Sequence, residues 1–443
     1  MIKVCTIGGY NEIGRNCTAI KIDNEVVILD LGLHLERYIR YTEDEDIKKI
    51  SSEELVKVGA LPDLSIIDEW IKDVVALVPT HAHLDHVGGI PYLSDIFNAP
   101  IISTPFTNAV IKAILNDEKM HLKNPLKVVN INSKYRISEN IEIEFVNITH
   151  STPHTAMVVL HTKYGAIIYA NDFKIDNFPT LGLKPNFDKL KEIGKKGVIC
   201  LIIDSLYADT AGKTPSEEVA KTMLKDVLLS TNSDEKAIVV TTFSSHIARI
   251  KSIVEIAKQM NRKILFLGRS LSKYVNAAEE CGIINFSDEV EIVKYSSQVK
   301  KRIKQLNNEK EKYIVVCTGH QGEKQAVLSK IARDEINFKI GKDDIIIFSC
   351  TVIPTNLNIS NREELETELE KKGIRIFKDI HVSGHGSKED MRDIINILNP
   401  KYIIPAHSDL RREALMAKIA SDMGYELGEK VFIMQNKQFL ELK

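Results

Sequence analysis

The chain has 443 residues, of which 44% are hydrophobic and 27% charged, so it can form two or three globular cores. No apolar run approaches the roughly 18 residues of a membrane span, and the N-terminus lacks a secretory leader pattern. We therefore expect a cytoplasmic globular protein. The formal net charge of −2 excludes a global positive field for nucleic acid, so any attraction for phosphate must be local.

The six cysteines are scattered along the chain, and no two of them form a C-x-x-C pair. Several lie within apolar runs, where a small buried hydrophobic side chain suits the surroundings. We therefore expect neither disulfide bonds nor cysteine metal sites.

Apolar runs that end in polar or charged residues recur along the chain and alternate with helical patterns. This alternation predicts an α/β architecture with sites at strand ends. Examples are residues 26–30, 74–79, 167–172 and 198–204. The charged stretch at 42–46 is interpreted as a solvated surface loop or as an excursion near the site.

The pattern changes after Asp204. Thr214, Pro215 and Glu217 predict the start of a helix, with Thr214 as its cap. Strand-turn-helix units then begin at 237–243, 263–267 and 313–317, and their turns are rich in Gly, Ser, His and Arg. Free N–H groups at helix starts favour phosphate, so these turns are candidate phosphate contacts. We place a domain boundary near residue 205.

Residues 80–86 read Thr-His-Ala-His-Leu-Asp-His, which places His81, His83, Asp85 and His86 directly after a predicted strand. Imidazole and carboxylate suit Zn²⁺ or Mn²⁺, whereas a structural zinc site is more often rich in cysteine. One run supplies too many ligands for a single ion. It therefore predicts a metal-dependent hydrolase in which two ions, about 3.5–4 Å apart, hold an attacking hydroxide.

Two ions need about six to eight protein ligands, so other strand ends must contribute. Candidates stand at or just after the ends of further apolar runs: Asp30, His150, Asp172 and His407.

The chain also carries a series of motifs in a characteristic order: Gly8-Gly9, residues 12–16 (Glu-Ile-Gly-Arg-Asn), Asp30, the 80–86 run, and residues 149–153, 172–174, 204–205, 268–270, 318–323, 383–385 and 405–407. In this combination the chain resembles the metallo-β-lactamase-fold nucleases of the β-CASP group, and within them the ribonuclease J family with its archaeal members. The resemblance covers nearly the whole length. It implies an αββα sandwich built from residues 1–205 and 355–443, interrupted by a β-CASP α/β domain at 206–354.

The resemblance implies two metal ions that share one carboxylate. It assigns His81, His83 and His150 to one ion, Asp85, His86 and His407 to the other, and Asp172 to both. Asp30 would orient ligands from behind them, and Asp85 would also position or deprotonate the bridging water. His385, paired with Asp204, would protonate the leaving 3′ oxygen.

Segments that match those holding substrate phosphates in the family fall into three sets: Ser244, Ser245 and His246; Arg269 and Ser270; and His381, Val382, Ser383, Gly384 and His385. The sequence departs from the family at two positions. His154 stands where the family commonly carries an acidic residue, which makes it an alternative or additional ligand beside His150. Asn171 replaces the usual glycine before Asp172.

The resemblance implies a 5′-to-3′ exoribonuclease on single-stranded RNA. Such an enzyme would use two Zn²⁺ ions, with Mn²⁺ as an alternative, prefer a 5′-monophosphate end and release 5′-mononucleotides. We expect a homodimer. We do not expect the separate C-terminal domain of the bacterial members, because the chain ends shortly after His407.

Three alternative functions remain open: a β-CASP endoribonuclease in RNA 3′-end processing, a catalytically idle RNA-binding subunit, and a small-molecule lactamase or thioesterase. The idle subunit is disfavoured because every expected ligand is present. The small-molecule hydrolase conflicts with the inserted domain and with His385.

Overall fold

The computed structural model describes residues 1–44 and 51–443. Of the charged stretch predicted as a loop at 42–46, residues 42–44 instead form the end of a helix, and residues 45–46 lie outside the described residues. The chain divides into two compact units. Unit 1 comprises Met1–Asn177, Leu183–Thr214 and Gly384–Lys443, and unit 2 comprises Phe178–Gly182 and Pro215–Ser383. No helix in the described part of the chain has the length and apolar character needed to cross a bilayer.

The strands are β1 (Ile2–Gly8), β2 (Cys17–Ile22), β3 (Glu25–Leu29), β4 (Val74–Val78), β5 (Ile101–Ser103), β6 (Leu126–Val128), β7 (Lys134–Arg136), β8 (Glu142–Asn147), β9 (Ala156–Thr162), β10 (Gly165–Ala170), β11 (Val198–Asp204), β12 (Ile238–Thr241), β13 (Lys263–Leu267), β14 (Val290–Val293), β15 (Tyr313–Cys317), β16 (Ile345–Phe348), β17 (Arg375–Phe377), β18 (Tyr402–Ala406) and β19 (Gln438–Leu442).

The α-helices are α1 (Leu35–Asp44), α2 (Ser52–Lys57), α3 (Leu84–Val87), α4 (Ile90–Leu93), α5 (Pro105–Glu118), α6 (Phe187–Lys196), α7 (Glu217–Ser230), α8 (Ile247–Gln259), α9 (Arg269–Glu280), α10 (Ser296–Leu306), α11 (Val327–Ala332), α12 (Asn356–Lys371), α13 (Lys388–Leu398) and α14 (Leu410–Asp422). Short 3₁₀ helices lie at Leu64–Asp73, Ser94–Ile96 and Lys310–Lys312.

Unit 1 contains two sheets. The strand order is β19-β1-β2-β3-β4-β5-β6 in the first sheet and β18-β11-β10-β9-β8-β7 in the second. A buried apolar core that includes Val27, Phe145 and Ile202 joins the two sheets. On its outer face the second sheet packs against helices, through side chains such as Leu190 and Ile394. The predicted metallo-β-lactamase sandwich is confirmed.

Unit 2 is built on a third sheet, of order β14-β13-β15-β12-β16-β17, in which all described strand pairs are parallel. The strands β12, β13 and β15 each lead through a turn to a helix, which confirms the predicted strand-turn-helix units. Their apolar character fits this architecture, because a parallel sheet is normally covered on both faces.

The helix predicted to start at Thr214 begins instead at Glu217. Its N-cap is Ser216, whose hydroxyl accepts a hydrogen bond from the Glu218 N–H at 3.2 Å. Thr214 donates its hydroxyl to the carbonyl oxygen of His385 at 2.7 Å, so it is not the cap. Serine caps a helix N-terminus as well as threonine does, so the sequence pattern alone could not decide between the Ser216 and Thr214 hydroxyls as the cap.

The predicted domain boundaries near 205 and 354 stay predictions. Residues 355–383 fall in unit 2, because β17 extends its sheet in parallel register beside β16. The six cysteines, all of them among the described residues, form no disulfide bond.

Candidate metal centre

The predicted site residues of unit 1 stand at the carboxyl ends of strands. Asp30 directly follows β3 and His407 directly follows β18, while Asp172 lies two residues after β10. All three adopt a left-handed backbone conformation, with φ values of 59°, 60° and 58° respectively. Asp and His tolerate this region better than most residues, and it turns the chain sharply at the end of a strand. Such conformations cluster at functional sites.

Potential ligand atoms converge in three groups that share Asp172. The first group is His81, His83, His150 and Asp172, the second is Asp85, His86, Asp172 and His407, and the third is Asp172, Asp204 and His385. Within each group, one donor atom from each residue lies within 4.8 Å of all the others. The structure therefore brings all seven predicted ligand residues together.

The two oxygens of the Asp172 carboxylate face different sets of imidazoles. Distances from Oδ2 are 3.4 Å to His81 Nε2, 3.9 Å to His83 Nδ1 and 3.4 Å to His150 Nε2. Distances from Oδ1 are 3.2 Å to His86 Nε2 and 3.5 Å to His407 Nε2. Asp172 thus has the geometry of a bridging group.

Hydrogen bonds at Nδ1 fix the orientation of the His86 and His150 imidazole rings. Asp30 Oδ2 accepts from His86 Nδ1 at 2.6 Å, and the Gly384 carbonyl oxygen accepts from His150 Nδ1 at 2.7 Å. With Nδ1 protonated, Nε2 keeps its lone pair toward Asp172. Asp30 is itself held by the Thr80 N–H at 2.7 Å, so it lies behind the ligand ring.

The electrostatics of the cluster match these directions. Burial lowers the pKa of His81 to about 3 and that of His150 well below its ordinary range, so both rings are neutral at neutral pH. Neutral imidazole is the form that binds a metal. Burial also opposes the charged form of His86, but neighbouring carboxylates, led by Asp172, outweigh it and raise its pKa. The charged form of His86 is therefore favoured, and its Nε2 proton must leave before this nitrogen can bind a metal.

The donor set fits divalent cations. Asp172 Oδ1 is buried and has no hydrogen-bond partner among the described residues. A buried carboxylate is normally paired or bound to a cation, and imidazole with carboxylate suits Zn²⁺ or Mn²⁺. The residues thus fit divalent metal ions. The number of ions and the individual roles of these residues as ligands stay predictions.

His385 and Asp204 form a hydrogen-bonded pair that groups with Asp172. The Asp204 Oδ2 lies 2.7 Å from His385 Nδ1, while His385 Nε2 lies 3.9 Å from Asp172 Oδ2. Burial alone would lower the pKa of His385, but the carboxylates of Asp204 and Asp172 outweigh it and raise that pKa to about 9. The ring is also stacked on Tyr207, with centroids 5.8 Å apart. The arrangement favours a charged imidazolium whose Nε2 points toward the cluster.

The predicted phosphate contacts lie mostly in unit 2. Ser244, Ser245 and His246 are buried in the turn before α8, and His246 is the N-cap residue of that helix. Arg269 and Ser270 are exposed at the start of α9.

One buried side chain connects the segment around His246 with the segment around His381. Arg249, in α8, donates from Nη1 to the Ile380 carbonyl oxygen at 3.2 Å and lies 3.4 Å from His381 Nδ1. It also forms a bidentate pair with Glu217, at 2.5 and 2.9 Å. Val382 is buried, Ser383 is partly exposed, and Gly384 and His385 belong to unit 1.

His154 is not a member of the ligand groups found in the described part of the chain. Its Nδ1 accepts a hydrogen bond from the Phe106 N–H at 3.3 Å, away from His150. Asn171 donates its amide to the Tyr169 hydroxyl at 2.7 Å.

Three residues that organise these sites had no role predicted from sequence: Asn16, Thr80 and Arg249. Thr80 and Asn16 stand inside the family motifs, but their partners are as many as 391 positions away in the chain. Arg249 had no sequence signal beyond its place in an amphipathic helix. Only the folded chain brings these side chains to their partners.

The sandwich fold and the two histidine and aspartate groups define a metal-dependent hydrolase of the metallo-β-lactamase type. Family models match three parts of the chain: "Metallo-beta-lactamase superfamily" at residues 10–187, "Ribonuclease J, beta-CASP domain" at 235–363, and "Zn-dependent metallo-hydrolase RNA specificity domain" at 373–434.

Ribonuclease J of Methanocaldococcus jannaschii is 44% identical over all of this chain and 99% of its own length. Ribonuclease J of Pyrococcus abyssi is 43% identical over all of this chain and 97% of its own length. The chain belongs to the ribonuclease J family of metal-dependent ribonucleases. A crystal structure of an Enterococcus faecalis protein of unknown function shares the fold, with a TM-score of 0.68 at 16% identity over 99% of each chain.

Proposed function

We propose that this protein is a 5′-to-3′ exoribonuclease that acts on single-stranded RNA with two Zn²⁺ ions. It would prefer a 5′-monophosphate end and release 5′-mononucleotides. The observation that carries the hydrolytic part is the pair of ligand groups on the two oxygens of Asp172, with His385 beside them. The direction of attack and the end preference rest on membership of the ribonuclease J family.

Bound at the two groups, divalent ions would lower the pKa of a water and stabilise the charge that develops on the phosphoryl oxygens. His81, His83 and His150 would hold one ion, Asp85, His86 and His407 the other, and Asp172 both. Asp85 is the most exposed carboxylate of the cluster, with 26% of its side chain accessible, so it can also orient the attacking water.

The leaving 3′ oxygen needs a proton, because an alkoxide leaves poorly. Asp204 holds the Nδ1 proton of His385, so the second proton of the imidazolium sits on Nε2, toward the cluster. As water attacks phosphorus and the bond to the 3′ oxygen breaks, Nε2 donates that proton. The remaining strand keeps a 5′ phosphate and is again a substrate.

Recognition of a 5′ end requires groups that satisfy a terminal phosphate. Ser244, Ser245 and the start of α8 offer hydroxyl and N–H donors together with the positive end of a 13-residue helix. Charged phosphate gains most from such donors.

Three finer parts of the proposal need their own measurements. Metal analysis of the purified protein would distinguish Zn²⁺ from Mn²⁺ and count the ions per chain. Light scattering would test the expected homodimer. Cell fractionation would test the expected cytoplasmic location.

The deciding experiment uses 3′-labelled single-stranded RNA with a 5′-monophosphate, a 5′-hydroxyl or a blocked 5′ end, incubated with added Zn²⁺ or Mn²⁺. We expect release of 5′-mononucleotides from the free ends, fastest from the monophosphate, and none from the blocked end. Discrete internal cuts that ignore the block would favour the endoribonuclease. Binding without any cleavage, equal to that of Asp172→Asn, would favour the idle subunit.

A further inference from the structure

Asn16 is a fully buried polar side chain at the start of β2, at the end of the turn that follows β1. Neither the hydrolytic mechanism nor the 5′-end contacts proposed above use it. Burying an amide costs free energy unless its donors and acceptor are all satisfied. The partners of this side chain therefore indicate what it does.

The partners of the Asn16 amide are residues of the second ligand group and Asn171, whose Nδ2 donates to Asn16 Oδ1 at 3.4 Å. Asn16 Nδ2 lies 3.1 Å from the Asp85 carbonyl oxygen, 3.4 Å from Asp85 Oδ2 and 3.1 Å from His86 Nε2. Asn16 Oδ1 lies 3.0 Å from His407 Nδ1. One side chain thus touches all three residues that, with Asp172, form this group.

The chemistry of the amide sets the direction of each bond. The Asp85 carbonyl oxygen can only accept, so the NH₂ end of Asn16 faces it and Oδ1 faces His407. Oδ1 can only accept, so His407 Nδ1 must carry the proton. Nε2 of His407 is then left with its lone pair, and it lies 3.5 Å from Asp172 Oδ1.

The backbone around Asn16 holds the amide in place. A Cβ on Gly9 would lie 2.2 Å from Asn16 Oδ1, and the φ of Gly9 is +85°, so this position needs glycine. The Gly9 carbonyl oxygen accepts from the His407 N–H at 2.7 Å, and the Asn16 N–H donates to the Asp85 carbonyl oxygen at 2.9 Å. The contacts of the side chain are therefore reinforced by the main chain on both sides.

The first ligand group does not depend on Asn16. His150 is oriented by the Gly384 carbonyl oxygen, and His81 Nδ1 lies 3.0 Å from the Thr80 hydroxyl. Among the described residues, no hydrogen bond of Asn16 reaches His81, His83 or His150.

We propose that Asn16 is a positioning residue for the second metal ion: it fixes the Nδ1–H tautomer of His407 and aligns this ring with Asp85 and His86. It determines the affinity for the ion held by Asp85, His86 and His407 and leaves the other ion unaffected. This inference rests on the two-ion site of the proposed function. A partner of this kind typically changes metal affinity by about 10–100-fold.

The test is a Zn²⁺ titration of the metal-stripped protein against a chromophoric chelator, which resolves two binding steps. We expect Asn16→Ala to weaken one step by about 10–100-fold and to leave the other unchanged. The matched control is Asn124→Ala, because Asn124 is also a buried amide of unit 1, bonded to the Phe97 and Ala99 carbonyl oxygens at 2.8 and 2.9 Å. The control should lower the melting temperature without changing either binding step.

Several outcomes would overturn the inference: two unchanged steps in Asn16→Ala, equal weakening of both steps, or the same weakening in the control. A wild-type protein that binds a single ion would instead contradict the two-ion part of the proposed function. The two failures are therefore distinguishable.

A second measurement does not depend on the folding of a variant. Long-range ¹H–¹⁵N correlation of the wild-type imidazoles, assigned with His407→Gln, reports the tautomer of His407. We expect the proton on Nδ1, both in the metal-stripped and in the Zn²⁺-loaded protein. A proton on Nε2 in the metal-stripped protein would refute the role of Asn16.

Discussion

Two regions of the molecule bury charged side chains, and each region compensates the buried charge in a different way. In unit 1, Asp172 is buried among imidazoles and other carboxylates, and its Oδ1 has no hydrogen-bond partner among the described residues. In unit 2, Glu217 is buried to the same degree, but both of its oxygens accept hydrogen bonds from the guanidinium of Arg249.

This difference distinguishes the candidate metal site around Asp172 from the structural ion pair of Glu217 and Arg249. The Glu217 pair contains its own permanent cation, because arginine stays charged in proteins. Arg249 also donates to the Ser349 and Ile380 carbonyl oxygens at 2.9 and 3.2 Å, so the region is satisfied internally. The Asp172 cluster contains only groups that can lose or gain a proton, which is the composition that divalent cations require.

Unit 1 shows a third way to bury a carboxyl group. Glu413, in the first turn of α14, accepts a hydrogen bond from the Asn11 N–H at 2.7 Å. Burial raises its pKa to about 8, so it is protonated at neutral pH. A buried acid without a cationic partner commonly neutralises itself in this way.

The largest effect should come from Asp172→Asn, which removes the charge shared by both ligand groups. Because bound ions contribute several kcal/mol of transition-state stabilisation, we expect kcat on RNA to fall by at least about a thousand-fold. Metal analysis should show the loss of at least one ion per chain. Asp393→Asn, on the surface of the same unit, should behave as wild type. Normal turnover in Asp172→Asn would exclude the bridging role.

A smaller loss should follow His385→Gln, which removes the proton donor and leaves the ligand groups intact. Loss of a general acid typically costs about 10²–10⁴-fold in rate. We expect kcat to fall within this range while the number of bound ions is unchanged. Asp204→Asn should give a smaller decrease, since the ring stays in place. Loss of metal in His385→Gln would instead make His385 a ligand.

In unit 2, Arg249→Met should destabilise the fold, because it removes the guanidinium that donates to both oxygens of the buried Glu217 carboxylate. Breaking a buried pair on one side typically costs about 3–5 kcal/mol. Urea unfolding would measure this loss, and the double variant with Glu217→Gln should recover much of it. Metal binding should remain that of wild type. A change in metal content with no change in stability would contradict the assignment of this region as scaffold.

The smallest effect concerns Glu413. Its pKa is about 8 in the folded chain and near its ordinary, lower value in the unfolded chain, so the folded state binds the proton more tightly. Stability from this group is complete at acidic pH and is lost as the pH rises through 8. The melting temperature of Glu413→Gln should therefore rise relative to that of wild type as the pH increases from 6 to about 8.5. Glu429→Gln, on the surface, should show no such trend.

Much of the candidate site could be predicted from local sequence. His81, His83, Asp85 and His86 are close in sequence and follow an apolar strand, so their spacing alone indicated a metal cluster. Asp172 and His407 were identified because each follows an apolar run, and they lie near the carboxyl ends of strands in one sheet. The sandwich fold followed from the same alternation of strands and helices together with the family motifs.

Other features could not be read from the sequence. The helix α7 is capped by Ser216 rather than by Thr214, because two neighbouring hydroxyls compete for one cap and tertiary contacts decide between them. The position of 355–383 in unit 2 depends on the pairing of β17 with β16, and a three-residue strand carries little sequence signal.

The sequence by itself determined the chemistry: which residues can bind metal, which strands carry them, and which family the motifs resemble. The tertiary structure decided the orientation of each imidazole and the means by which each buried charge is compensated. Tautomers and ion pairs depend on partners that approach within about 3 Å, such as Asn16 for His407 and Glu217 for Arg249. These partners are separated by 391 and 32 positions in the chain, so only folding brings them together.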